Sequence, residues 1–530
     1  MKKARGMTRG DILHTDVLVI GSGIAGASAA LQASKSGLKV LVVNKSSRIE
    51  ESNTFYAQGG IVSLGRNDAP VLLVADIIEK GDGTSDPKAV EVLAGEGKEL
   101  VERILIEELA IPFTRNAPDE LDYAQEAGHS RRRILHVQDT TGRTIEERFV
   151  AALKKRKSVT LLADHTAVDL LTVPHHSKNP IAYYRSPACI GAYILDNKTG
   201  KVRSVFASTT VLATGGCGAV FLYTSNPRES IGDGYAMALR AGARIVNMEY
   251  IQFHPTSLYH RDSEGFLISE TVRGEGGRLK TRDGRTFMEK YSPRRDLAPR
   301  DEVTRAIYEE MIATNTPYVL LDLASYAKSD VKKRFPNIYK TCRLYGIDIS
   351  KEPIPVVPAA HYCCGGVLVD DWGQTTLPGL YAVGEVSCTG VHGANRLAST
   401  SLLEGLVWGT RAGRRIAERF EPAIPVKPSE IHLWYYPRKE EEIDPALIQQ
   451  DWLTIRSTLW NYAGIIRTRK RLERAKADLE YLLHRIEKFY REAQMDAEIV
   501  GLRNGILVAL MITRAALSNP VSRGAHFRKD

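Results

Sequence analysis

The chain has 530 residues, more than one hydrophobic core supports, which excludes a single-core protein and implies two or three domains. At 43% hydrophobic and 25% charged residues the composition is that of an ordinary globular protein. A formal charge of +9 leaves nucleic acid, a membrane surface or an anionic small ligand open as partners.

Met1 to Leu13 carries charges but no apolar run able to serve as a signal sequence, so secretion is not expected. Asp16 to Ile20 is a short apolar run suited to a buried parallel strand. Gly21-Ser22-Gly23-Ile24-Ala25-Gly26 follows at once and leads into the alanine-rich helical stretch Ala27 to Ser36. Strand, glycine turn and helix come in the order that binds a dinucleotide: the glycines let backbone approach a pyrophosphate, and the helix N-terminus offers amides. The second strand, Lys39 to Val43, is followed by Asn44 and Lys45 where an acid would take the ribose hydroxyls of NAD. That departure weakens a simple NAD assignment, and the rest of the chain argues instead for flavin. Thr210 to Gly216 and Gly379 to Glu385 are two further strand-to-glycine turns, so one FAD domain is assembled from distant pieces around a long insertion.

Two histidine motifs flank that insertion, Gln252-Phe253-His254-Pro255-Thr256 and His361-Tyr362-Cys363-Cys364-Gly365-Gly366. Each precedes an arginine, Arg300 in Ala298-Pro299-Arg300-Asp301 and Arg396 in His392-Gly393-Ala394-Asn395-Arg396. Two histidines and two arginines near a redox cofactor point to capture of a small dicarboxylate. After the proline-rich linker Pro422 to Pro428 the pattern becomes helical, in Tyr462 to Phe489 and Asp496 to Ser518. The apolar run Gly505 to Ile512 ends at Arg514 and is too short for a membrane span. Basic residues are dense at Arg131-Arg132-Arg133 and from Arg467 to Lys476, the latter read as a solvated helix face because Glu473 and Asp478 interrupt it. The six cysteines form no CxxC pair, which fits reduced thiols in a cytoplasmic protein and gives no metal site. Neither aromatic interleaving nor a recognised module supports nucleic acid as the partner.

Ser52-Asn53-Thr54-Phe55-Tyr56-Ala57-Gln58-Gly59-Gly60, the two histidine motifs, Thr271 to Gly277, Ser401-Leu402-Leu403-Glu404 and Ser522 to Arg528 together resemble the succinate dehydrogenase/fumarate reductase flavoprotein family over nearly the whole chain. Within it the similarity is greatest to the branch that oxidises L-aspartate. The resemblance implies an α/β fold with an added helical part: a Rossmann-like FAD-binding domain (1–240 and 355–425), interrupted by an α+β capping domain (241–354) and followed by a C-terminal helical bundle (430–530). The capping domain would bring His254, Ser269, Glu270 and Arg300 to the FAD-binding domain's His361 and Arg396, so closure would assemble the site.

The resemblance also implies the site's roles. FAD would be non-covalent, because Asn53 stands where membrane-bound relatives carry the flavin-linking histidine. Its contacts would be Ser22, Gly23, Ile24 and Ala25 at the pyrophosphate, Lys45 near the ribose, Ser52 to Gly59 along the flavin, Asp233, Glu385 on the ribityl chain, and Ser401 and Leu402. Arg396 and His361 would hold one substrate carboxylate, His254 and Ser269 the other. Ser269 replaces the threonine of many relatives but keeps the hydroxyl donor. Glu270 joins this substrate-binding set as the anchor of a neighbouring basic group. Glu126 would read the substrate ammonium; the competing reading pairs it with Arg131 to Arg133 on a loop. Arg300 matches the family's proton donor or acceptor, a role that needs perturbation by neighbours or is electrostatic, since a guanidinium is a poor base. Hydride would pass from the aspartate α-carbon to flavin N5, giving iminoaspartate, with oxygen or fumarate as final acceptor. The product would go to quinolinate synthase in NAD biosynthesis. A soluble fumarate reductase, or a flavoprotein subunit docking an iron–sulfur or membrane partner, are the alternatives.

Overall fold

Val17 to Ile20 are buried within a seven-stranded sheet, in the strand Ile12–Ile20. Its neighbours Val40–Val43 and Lys201–Leu212 run parallel to it, and Val159–Leu162 extends the parallel set beyond Val40–Val43. The computed structural model describes residues 12–117, 120–138, 140–326, 330–422, 426–437 and 441–530. The charged stretch 1–11 and residues 423–425 of the expected linker therefore lie outside the described residues.

The twelve-residue strand Lys201–Leu212 divides its partners. Its first half pairs antiparallel with Cys189–Asp196, which turns back along His165–Thr172, while Thr210 to Leu212 pair parallel with Leu380–Ala382. That division sets the turns at Gly21, Gly215 and Gly384 side by side. Gly21 has φ +110°, and a Cβ there would lie 2.1 Å from the Ala213 carbonyl oxygen, so only glycine allows the two turns to abut. The helix Thr400–Glu418 then packs closely on Ile24–Lys35: a Cβ on Gly409 would sit 2.4 Å from the Ala25 carbonyl oxygen.

A second sheet is antiparallel throughout, in the order Ile251–Leu258, Ile354–Cys363, Val319–Asp322, Arg278–Lys280. Pro255 lies in the irregular stretch between His254 and Ser257, where a residue without an amide donor is tolerated. His254 and His361 ride on adjacent strands of this one sheet, so sheet register sets their spacing.

Three helices close the chain, Pro445–Tyr462, Arg469–Glu492 and Ala497–Ser518. The expected continuous helix from Tyr462 to Phe489 is broken, because Thr468 caps a new start by accepting from the Arg471 amide. Asp496 caps the last helix by accepting from Glu498 and Ile499. That helix is longer than the run Gly505 to Ile512 suggested, and it has the length and hydropathy of a membrane span. It is nevertheless a core helix, with 72% of its apolar window buried inside the protein.

Arg467 departs from the reading of its cluster as a solvated face, which holds for Arg469, Lys470 and Arg474 on the helix that follows. Arg467 is fully buried, with Nε donating to the Ala463 and Gly464 carbonyls, Nη1 to the Glu249 carbonyl, and His526 Nδ1 as a further partner. Burial brings its pKa down to about 10. The exposed face begins beyond it, with the pairs Arg469–Glu473 and Lys476–Glu480, while Leu472 and Ala475 are buried. Arg467→Met strands these buried acceptors and is expected to cost about 3 kcal/mol of stability; a lowered urea midpoint checks it, and an unchanged midpoint contradicts it.

Candidate active site

A cavity of about 1220 Å³ runs from the Gly21 turn to the paired histidine strands. At its first end Gly23 caps the helix Ile24–Lys35 without a side chain, and the Ile24 amide donates to Thr54 Oγ1 at 3.0 Å. Ser22 Oγ donates to the Ile49 carbonyl and accepts from Asn44 Nδ2, whose amide also reaches the Glu51 carbonyl. Asn44 thus organises the turn in place of the acid of an NAD site. Ser52 accepts from the Phe55 amide and caps the short helix Asn53–Tyr56. Lys45 Nζ donates to Asp233 Oδ2 at 2.7 Å.

The residues fit a bound dinucleotide. The buried hydroxyls of Thr166 and Thr214 line the cavity without any partner. A Cβ on Gly216 would stand 2.1 Å from Glu385 Oε1, so the backbone there is kept bare beside an acid. Glu385 accepts from the Cys363 amide and from Asn53 Nδ2, while Asn53 Oδ1 accepts from Ser230. Burial raises Glu385 to about 7, against the pull of the Cys363 amide and Arg396. Ala25, Tyr56, Ala57, Gln58, Gly59 and Leu402 line the cavity as expected. Phe55 does not: its ring is buried near the guanidiniums of Arg48 and Arg143.

At the other end the ring centroids of His254 and His361 are 5.6 Å apart. Burial, then Arg300 and Arg273, hold His254 well below the usual imidazole range, so it is neutral. Its Nδ1 accepts from the Thr256 amide, which leaves the proton on Nε2. Burial and Arg396 likewise keep His361 neutral, and its Nδ1 meets Ser225 Oγ at 2.7 Å. Arg396 stacks 4.6 Å over the Tyr362 ring, donates to Ser401 Oγ at 3.1 Å and leaves a buried Nε without a partner. Ser269 Oγ accepts from the Thr271 hydroxyl, so its own proton is available to a ligand.

Glu270 is engaged by protein rather than left for substrate. Its Oε1 accepts from Arg300 Nε at 2.7 Å and from Arg273 Nη2 at 3.1 Å. Burial opposes charge on Arg300, yet Glu270 and Glu126 outweigh it and raise its pKa above the ordinary guanidinium value.

Glu126 lines the cavity and accepts from Ser399 Oγ at 2.8 Å. Two of the three arginines that competed for it are engaged elsewhere: fully buried Arg133 with Asp68 and Asp76, and Arg132 with Asp122 and the Tyr123 carbonyl. His129 Nε2 meets the Ala398 carbonyl at 2.9 Å, fixing this loop to the turn that carries Ser399.

Sequence reasoning missed four supporting residues. Arg273 shares Glu270, Ser225 meets His361, Ser399 holds Glu126, and Gln252 donates to both the Asn395 side chain and the Arg396 carbonyl. Gln252 stood in a quoted motif, but nothing along the chain points it at a turn near residue 396. Ser399 has φ +56°, unusual for a residue with a Cβ, and sequence gives no sign of it.

An FAD binding domain family model matches residues 16–402, and a fumarate reductase flavoprotein C-terminal model matches 453–530. L-aspartate oxidase 1 of Ralstonia nicotianae is 43% identical over 98% of this chain and 96% of its own length. L-aspartate oxidase of Halobacterium salinarum is 41% identical over 98% of this chain and 97% of its own. Among solved structures, a quinol fumarate reductase chain of E. coli superposes with a TM-score of 0.86 at 26% identity, covering 98% of this chain and 92% of that one. Mycobacterium smegmatis Sdh1 superposes at 0.84 and 32% identity, covering 98% and 89%. The chain belongs to the succinate dehydrogenase/fumarate reductase flavoprotein family, in its L-aspartate oxidase branch.

Proposed function

We propose that the chain oxidises L-aspartate to iminoaspartate with bound FAD, the electrons passing on to oxygen or fumarate. The observation that carries this reading is Glu126, a carboxylate held by Ser399 in the cavity that also holds His254, His361, Arg300 and Arg396. An acid there attracts the α-ammonium of aspartate and repels succinate. Relatives bearing the L-aspartate oxidase name over almost their full length support it.

Two carboxylates would be divided between the cavity's donors. Arg396 and the neutral His361 take one; His254 Nε2 and the Ser269 hydroxyl take the other. When bound, FAD supplies the two-electron sink, at its N5 position, for the hydride that leaves the substrate α-carbon. A proton is lost from nitrogen as the C=N bond forms. Arg300, kept charged by Glu270, serves electrostatically beside the reacting carbon rather than as a base. The domain division that goes with this reading is 1–240 with 355–425 for FAD, 241–354 as the cap and 430–530 as the helical part, with the strand Ile354–Cys363 running across the 354/355 boundary as a member of the sheet that carries His254. Transfer of the hydrolysable imine to quinolinate synthase, and a cytoplasmic location consistent with six buried free thiols, belong to the same proposal.

Glu126→Gln should raise KM for L-aspartate by about tenfold or more while fumarate reduction by the reduced enzyme stays within about twofold, since one charged contact is worth roughly 1.5–3 kcal/mol. Equal loss in both assays would return the chain to the fumarate reductases, whose anion-holding residues are the same. Arg396→Leu should depress both activities by about 2–5 kcal/mol in kcat/KM; an effect confined to one substrate contradicts the shared carboxylate site. Glu385 binds its proton more tightly folded, at about 7, than unfolded, so its contribution to stability is present at acid pH and fades as pH rises from the ordinary carboxylate range through 7. Melting the FAD-free protein across pH 4.5–7.5, Glu385→Gln should gain on the wild type as pH rises; a constant difference refutes it.

A further inference from the structure

A fully buried amide in a largely apolar helix needs partners for both of its ends. Asn504, with 0% exposure in the helix Ala497–Ser518, has them. Its Nδ2 donates to Asp233 Oδ1 at 2.8 Å, and its Oδ1 accepts from Arg240 Nη1 at 2.9 Å. The charges on either side fix which way the amide faces: nitrogen to the carboxylate, oxygen to the guanidinium.

The contacts continue in both directions. Toward the cavity, the other Asp233 oxygen accepts from Lys45 Nζ at 2.7 Å, and both residues line the dinucleotide end. Away from it, Arg240 Nε donates to Asp169 Oδ1 at 2.7 Å, and Asp169 Oδ2 accepts from Arg503 Nη1 at 3.1 Å. Arg503 Nε donates in turn to Glu487 on the preceding helix at 3.0 Å. An unbroken polar chain therefore links the C-terminal helices to the cofactor end of the cavity.

We infer that Asn504 is a positioning residue for the cofactor: the last helix sets the Asp233 carboxylate, so the C-terminal helical region forms part of the FAD site although none of its described residues lines the cavity. Deleting the amide leaves Asp233 Oδ1 without its donor and Arg240 without one acceptor, and the carboxylate is then held by Lys45 alone. By linkage, FAD strengthens the docking of the last helix to the same degree that the docked helix strengthens FAD binding. The inference rests on the reading of Asp233 as a cofactor contact.

The test is the FAD dissociation constant of the FAD-free full chain, read from quenching of flavin fluorescence, with no turnover involved. Asn504→Leu should raise it about tenfold, the effect of one lost hydrogen bond to a charged group. Asn504→Asp keeps the side chain's size, sets an acceptor against Asp233 and should weaken binding at least as much. Ile506→Val, fully buried in the same helix, serves as the packing control: it should lower the melting temperature and leave FAD affinity within about twofold. Wild-type affinity in both Asn504 variants, or an equal loss in Ile506→Val, overturns the positioning role. Asp233→Asn separates the two readings. If it binds FAD like the wild type, the cofactor role of Asp233 fails and the inference with it; if it binds weakly while the Asn504 variants do not, only the positioning role fails.

Discussion

Three guanidinium groups buried around a single shared carboxylate are the constraint on which this cavity depends. Glu270 satisfies Arg273 and Arg300 together, while Arg396 is given a ring face, a hydroxyl and no acid. A charge removed from water without a counter-ion is costly, and burial accordingly pulls Arg396 below its usual pKa. An anionic ligand relieves that cost, which makes the arrangement a store of affinity for carboxylates. Both histidines are driven neutral by the same burial and the same positive field, and so present hydrogen-bond donors without adding charge.

The fold meets this constraint with one divided strand and one antiparallel sheet. Lys201–Leu212 brings three glycine turns together because its end pairs with a strand from far along the chain. The second sheet puts His254 and His361 on neighbouring strands, so their separation is fixed by backbone hydrogen bonds and is insensitive to side-chain disorder. Glu404 completes the frame: buried, it accepts from Tyr362, Thr389 and His392, fixing the ring on which Arg396 lies.

In the proposed function, substrate discrimination comes from a loop and not from this frame. Glu126 stands at the cavity because Arg133 anchors its loop to Asp68 and Asp76 and His129 anchors it to Ala398. Arg133 carries the larger share, being fully buried between two acids. The segment Arg131 to Arg133, dense in positive charge along the chain, is therefore in part interior structure, as is Arg467 in the second basic cluster.

The dinucleotide turn, the histidine–arginine motifs and the helical C-terminus were legible in the chain because each depends on residues close in sequence: a strand, a glycine turn and a helix start are local, and helical periodicity is local. Partnerships across the fold were not. Nothing near Glu270 announces that Arg300, thirty residues on, will join Arg273 there, nothing near Asn504 points to Asp233, and the break at Thr468 shows only once Arg467 has turned inward to its carbonyls. Sequence determined which chemical groups are present and their local backbone geometry; tertiary structure alone decided which charges are paired, because pairing is set by distance in space and by loss of water, and neither is written in the order of residues.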